Sequence, residues 1–174
     1  MRTSFETERL LLRELQPSDD TGMFELDSNP AVHTYLGKNP VTDIEQVREA
    51  ITNIRQQYLE NGIGRWAVIL KETGEFIGWS GLKKNKNVNG HDTYYDLGYR
   101  FIEKHWGKGY AYETAKAFVD FGFNEMKLEK INAYADFDNF ASRKVLEKAG
   151  MHFVNFFDDE GIQQAWYEIK NPNS

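Results

Sequence analysis

The sequence predicts a mixed α/β domain around one sheet, and three observations lead there. The chain has 174 residues, which at roughly 150 residues per domain argues for a single unit. Its apolar pattern runs as antiparallel hairpins and then as strand–helix–strand–helix–strand–strand, with the period switching between two and 3.6 residues. A hydrophobic share of 40%, with 12 Phe, 9 Tyr and 4 Trp, supplies an ordinary core and excludes a disordered or linker-rich chain.

Residues 9–13 (Arg9, Leu10, Leu11, Leu12, Arg13) read as a short apolar strand that ends by Pro17. Ser18 is placed to cap a helix reaching about Asp27, and Asn29-Pro30 then punctuates the chain. Thr42 and Glu45 stand at capping-box spacing before apolar residues at 44, 47, 51, 54 and 58, one face of an amphipathic helix. Residues 65–71 and 75–82 form a hairpin about Thr73-Gly74. The polar stretch 83–92, with Asn89-Gly90 inside it, is expected to be the next turn. Residues 93–102 alternate, with Tyr95, Leu97, Tyr99 and Phe101 on one face and Tyr94, Asp96, Gly98 and Arg100 on the other.

The period then lengthens. Residues 110–123 place Ala111, Ala115, Phe118 and Gly122 on one helical face, and 130–135 alternate as a strand with Ile131, Ala133 and Ala135 turned one way. A short helix over 140–149 has Asp138 or Asn139 as its cap and Gly150 as its stop. Strand character returns over 151–157 and 163–169.

Several function classes drop out on composition. The chain has 21 basic against 27 acidic residues, a formal charge of −6, so binding to nucleic acid through an overall positive field is not expected. Cysteine is absent, which removes disulfides, thiolate metal sites and cysteine nucleophiles. The four histidines (His33, His91, His105, His152) show neither metal-ligand spacing nor a nucleophile context, so no metal is expected. The first fifteen residues are charged throughout, and no apolar run approaches the ~20 residues of a membrane span. A soluble, cytoplasmic protein, either monomer or homodimer, is the expectation.

The most informative stretch is Trp106-Gly107-Lys108-Gly109-Tyr110-Ala111, set between a strand and a helix. Two glycines two apart allow a tight turn that presents successive N–H groups, and the helix start adds its positive dipole end. Lys104, His105 and Lys108 concentrate positive charge beside it. The alternative is a plain glycine-rich turn with solvated lysines. The stretch is neither a Walker A loop nor a full G-x-G-x-x-G. A second stretch, 139–151, carries Ser142 one turn into a helix, followed by Arg143 and Lys144.

Taken together, the segments TERLLLREL, TGEFIGWSGL, DLGYRF, WGKGYAYE and NFASRKVLEKAGM resemble, in order and spacing, the GCN5-related N-acetyltransferase (GNAT) superfamily, closest to its RimJ/RimL branch. The resemblance covers nearly the whole chain. It implies one GNAT-type domain over 1–174, with a mixed, mostly antiparallel central sheet flanked by helices. It also implies acetyl-CoA as co-substrate and no metal. The family's phosphate loop falls on Trp106, Gly109 and Ala111, so the amides from Gly107 through Lys108, Gly109 and Tyr110 to Ala111 would hold the pyrophosphate. Backbone groups of Tyr99, Arg100 and Phe101 would pair with pantetheine, and Asn139 and Arg143 stand where relatives' second coenzyme-facing helix begins. Trp106 replaces a usual Gln or Arg, Met151 a usual Phe, and Leu146 the tyrosine that protonates the thiolate in many relatives.

Amide formation from a thioester needs a base for the amine, stabilisation of the carbonyl oxygen and a proton for the departing thiolate. By this resemblance Asp96 is the first choice of base, the alternative being an ordinary hydrogen-bonded aspartate. Tyr94 and Tyr134 could instead act through water. Ser142 is the preferred acid, since Leu146 cannot serve. The lack of cysteine excludes a cysteinyl acyl-enzyme and favours direct transfer in a ternary complex. The acceptor is an amine, either a protein N-terminus or a small molecule, with residues 29–38 and 83–92 near its rim and His33 an outside candidate. The rival reading is a non-catalytic acyl-CoA sensor on the same fold.

Overall fold

A computed structural model describes residues 1–174. Eight strands form one sheet: β1 (Ser4–Glu6), β2 (Leu10–Glu14), β3 (Trp66–Leu70), β4 (Phe76–Val88), β5 (His91–Phe101), β6 (Lys130–Asp136), β7 (His152–Asp159) and β8 (Ile162–Lys170). Their order is β1-β2-β3-β4-β5-β6-β8-β7. Every pairing is antiparallel except β5–β6, which is parallel. Helices α1 (Asp20–Asp27) and α2 (Ile44–Asn61) cover one face; α3 (Tyr110–Asn124) and α4 (Phe140–Lys148) cover the other. None of the helices is long and apolar enough to cross a membrane.

The larger core lies under α3 and α4. Phe118 is fully buried there, with its ring 5.2 Å from Phe5 and 5.5 Å from Trp66, so the first strand is tied to the middle of α3. Leu97 and Phe101 of β5, and Ile131, Ala133 and Ala135 of β6, point into this core as their alternation predicts. On the opposite face Leu15, Met23, Leu26, Val47, Ile51, Ala67, Ile69 and Ile102 form a second, smaller core.

Three expectations about elements need correction. The capping box of α2 is built by Asp43 and Gln46, one residue later than Thr42 and Glu45; Asp43 accepts from the Glu45 N–H at 2.9 Å. Ser18 lies within a 3-10 turn, Pro17–Asp19, whose cap is Gln16. The polar stretch 83–92 is mostly strand, because Lys83, Lys84, Asn85 and Lys86 pair with Asp96, Tyr95, Tyr94 and Thr93. Cross-strand pairing overrides weak strand propensity there, and only Asn89-Gly90, both left-handed, turn the chain. The three-residue β1 was too short to leave a periodic signal.

What positions the site is a break in the sheet. β5 and β6 share a single register pair, Asp96↔Asn132, whereas β4 and β5 are paired from Val88↔His91 to Gly78↔Phe101. Beyond Asp96 the two parallel strands diverge and a gap opens between them.

Candidate active site

The gap exposes one edge of β5. The Ile102 N–H donates to the Ile77 carbonyl at 2.9 Å, so backbone groups of Arg100 and Gly98 also face β4. By the same alternation, Leu97, Tyr99 and Phe101 turn theirs toward β6, where pairing has ended. An extended polar chain can add to such an edge as a strand does. The Phe101 carbonyl already accepts from Trp106 Nε1 at 2.8 Å, which folds the following loop back onto the strand. Of the residues expected to present backbone to pantetheine, Tyr99 stands open, whereas Arg100 is engaged with β4 across from Trp79.

The loop after β5 makes one 3-10 turn, Glu103–His105, and enters α3 through two left-handed glycines, Gly107 (φ 75°) and Gly109 (φ 84°). Gly109 is the cap residue of α3 and supplies no side-chain acceptor. As a result the N–H groups from Gly107 through Tyr112 find no partner in the protein; the next one, Glu113, bonds the Gly109 carbonyl at 3.1 Å. A helix start leaves about four N–H groups free, and here the loop adds those of Gly107 and Lys108. A Cβ at Gly107 would meet nothing within 4 Å, so this row of donors fronts open space. The arrangement suits a phosphate or pyrophosphate.

A network absent from the sequence reading sets the loop's orientation. Arg9 donates from Nη1 to the Lys108 carbonyl at 2.9 Å and from Nε to Glu113 Oε1 at 2.7 Å, and its guanidinium lies 4.4 Å from the Tyr110 ring centroid. The Thr7 hydroxyl and the Arg9 N–H both donate to Glu113 Oε2, at 2.6 and 3.0 Å. Burial favours the neutral form of Glu113, but these hydrogen bonds outweigh it and hold its carboxyl below the usual range. The only sequence hint is an acidic residue in the first turn of a helix expected to meet an anion. Such a charge calls for a cation of its own.

The charge cluster expected beside this loop is smaller than its sequence suggests. Lys104 is bound to Glu75 at 2.9 Å and to Glu25 at 3.7 Å. His105 is buried 3.4 Å from Glu75, and burial lowers its pKa. Lys108 alone of the three has no carboxylate partner.

At the start of α4, Asn139 is the cap, accepting from the Ser142 N–H at 3.2 Å. The Ser142 hydroxyl is 2.8 Å from the Tyr99 hydroxyl, across the gap-facing end of β5. Burial pushes the Tyr99 phenol up to about 12 although the Ser142 hydrogen bond pulls it down. The Tyr99 hydroxyl was missed as a functional group; its place beside Leu97 and Phe101 in the alternation was the available signal. Leu146, one turn beyond Ser142, is core. Arg143 points elsewhere: its Nε donates to the Tyr167 hydroxyl at 3.1 Å, and the guanidinium sits 5.6 Å from the rings of Phe140 and Phe156.

Asp96 lies on the other face of the sheet. It is 6% exposed, with Arg65 Nη2 on Oδ2 and the Tyr94 hydroxyl on Oδ1 at 3.1 Å. A Cβ at Gly98 would stand 2.7 Å from Arg65 Nη2, so glycine there lets the guanidinium lie across β5. Burial raises the Tyr94 phenol far above its ordinary value and brings Tyr134 to about 12, so both stay protonated near neutrality. His33 is buried with Nε2 2.8 Å from the Asp27 carbonyl. The structure therefore brings Tyr99, Ser142 and the free loop amides to one face of the gap, and Asp96 to the other.

Residues 9–152 match the family described as acetyltransferase (GNAT) domain. The chain belongs to the GNAT family. The YkkB protein of Bacillus subtilis (strain 168) is 36% identical over 99% of this chain and 98% of its own. N-acetyltransferase p20 of Bacillus licheniformis is 33% identical over 94% and 87%. Among solved structures, a GNAT-family acetyltransferase from Bacillus anthracis superposes with a TM-score of 0.79, at 28% identity over 97% and 98% of the two chains. As a GNAT protein the chain is an acetyl-CoA-dependent N-acyltransferase. The free amides at the start of α3 are donors of the kind a coenzyme A pyrophosphate calls for.

Proposed function

We propose that this chain transfers an acetyl group from acetyl-CoA directly to a primary amine, on a protein N-terminus or a small molecule. The observation that carries the reading is the unbroken run of unpartnered N–H groups from Gly107 through Tyr112, beside a strand edge left open by the β5–β6 gap. The loop amides, Lys108 among them, hold the pyrophosphate, and Tyr99 pairs its backbone with pantetheine. The thioester then reaches the gap with coenzyme on the α3–α4 side and acceptor on the other. Five segments in order support the RimJ/RimL branch.

Asp96 takes a proton from the acceptor ammonium and becomes the carboxylic acid. The freed nitrogen lone pair forms the C–N bond, the C–S bond breaks, and its electron pair leaves on sulfur. The thiolate takes a proton from the Ser142 hydroxyl, which Tyr99 can replace along their 2.8 Å hydrogen bond. The proton on Asp96 and the one still on the new amide's nitrogen go to solvent, which also restores Tyr99. Base and acid stand on opposite sides of the sheet, so neither neutralises the other.

The test has two parts. Calorimetry with acetyl-CoA should give binding; its absence would sink the reading. Thiol release should then appear with some member of a panel of peptide N-termini, polyamines, aminoglycosides and amino acids. Binding without any release would favour the sensor, for which the buried Leu146 in place of a tyrosine acid speaks.

A further inference from the structure

The acceptor face has an unbalanced charge. Two ion pairs stand there: Arg65 with Asp96, and Arg100 with Asp27 at 2.8 Å. Both guanidinium groups also stack on Trp79, at 5.4 and 5.3 Å from its ring centroid. A third cation, Lys83, stands directly across from Asp96 in the β4–β5 register, so both side chains project from the same face. Lys83 is half-buried and has neither an ion pair nor a hydrogen bond. Its pKa is lowered, first by burial and then by the charge of Arg65, against the pull of Asp96. Arg100 Nε is also buried without an acceptor. Further carboxylates toward β6–β8 are Asp136, which accepts from the Asp138 N–H at 2.8 Å, Asp159, which acts on Tyr134 from the end of β7, and Glu168, which pairs with Lys130 at 3.6 Å.

The carboxylate across from Lys83, Asp96, is already bound to Arg65, and a half-buried ammonium that shares its counter-charge is costly unless something supplies another. Resting on the acetyl-transfer reading, we infer that the acceptor amine carries an oxyanion, carboxylate or phosphate, a few bonds from its nitrogen, and that Lys83 receives it. The spacing sets the distance. Residues directly opposite in an antiparallel pair hold their Cβ atoms about 5 Å apart. Lys83 and Asp96 are therefore a cation and a carboxylate side by side, complementary to a zwitterion whose ammonium meets Asp96 and whose oxyanion meets Lys83. A polyamine has no group for Lys83 and brings further positive charge toward Arg65 and Arg100.

The experiment compares matched acceptors by thiol release from acetyl-CoA. One arm sets α-amino acids and β-alanine against their carboxamides; a second sets O-phosphoethanolamine against ethanolamine; spermidine is the polycation. We expect kcat/KM at least tenfold higher for the anionic member of one pair, and which pair responds tells carboxylate from phosphate. In K83M and K83Q that ratio collapses toward one, whereas K83R keeps part of it; unchanged acetyl-CoA affinity reports that the variants are folded. Equal or better use of carboxamides, ethanolamine or spermidine by the parent protein overturns the inference and leaves acetyl transfer standing. So does a parallel loss on both members of a pair in K83M and K83Q. No thiol release with any acceptor removes both.

Discussion

Ser142 and Tyr99 come from segments 43 residues apart, yet their hydroxyls share one hydrogen bond at the coenzyme side of the gap. If they deliver the proton to the thiolate, Ser142→Ala lowers kcat by about 10²-fold, in the range of a lost general acid. Acetyl-CoA affinity, read by calorimetry, stays within about twofold because the loop donors are untouched. Gly109→Val does the reverse. It forces a β-branched residue to φ 84° at the head of the loop, and we expect acetyl-CoA to bind at least tenfold more weakly. Equal affinity losses in the two variants would contradict this division. Asp96→Asn keeps the shape but removes the proton acceptor, and kcat/KM falls by about 10² or more. It also leaves Arg65 facing a neutral partner, so the melting temperature drops as well.

At the scale of the element, Arg9 and Glu113 join the strand that opens the sheet to the helix that starts at the phosphate loop. Arg9→Ala frees the Lys108 carbonyl to swing toward the ligand, and acetyl-CoA affinity should fall about tenfold while kcat at saturation changes little. The pH dependence has a definite sign. The carboxyl of Glu113 titrates below its ordinary 4.5 in the folded protein, so the tether contributes fully above that value. It is lost as the pH falls through the lowered pKa. Glu113→Gln should therefore weaken acetyl-CoA binding at pH 7, and the difference from the parent should shrink as calorimetry is taken below pH 4.5. A constant difference across that range would argue against the tether.

For the molecule as a whole, stability rests on the core that joins β1, β3 and α3. Phe118 is fully buried among Phe5, Trp66 and Phe121. Phe118→Ala should cost about 3–5 kcal/mol in urea unfolding, through lost burial and the cavity left behind. The face pattern of that core was legible in advance, since Leu97, Ile131, Ala133 and Phe118 follow strand or helix periods. So was the loop: glycine, helix start and preceding strand are neighbours in the chain, and their dihedral preferences are local.

The functions of side chains that meet across the fold were less legible. Arg143 looked like a coenzyme contact from its place on α4, but its side chain leaves the gap for the aromatic rings of β7 and the β6–α4 turn. Lys104 looked free until the turn before β4 and helix α1 brought Glu75 and Glu25 to it. By itself the sequence determined most of the elements, the fold class, the family and the loop, because each is written in short-range spacing and backbone preference. Only the tertiary structure decided where β5 and β6 part, that Lys83 stands across from Asp96, and that Arg9 reaches Lys108. These depend on strand register and on contacts between distant segments, which no local pattern encodes.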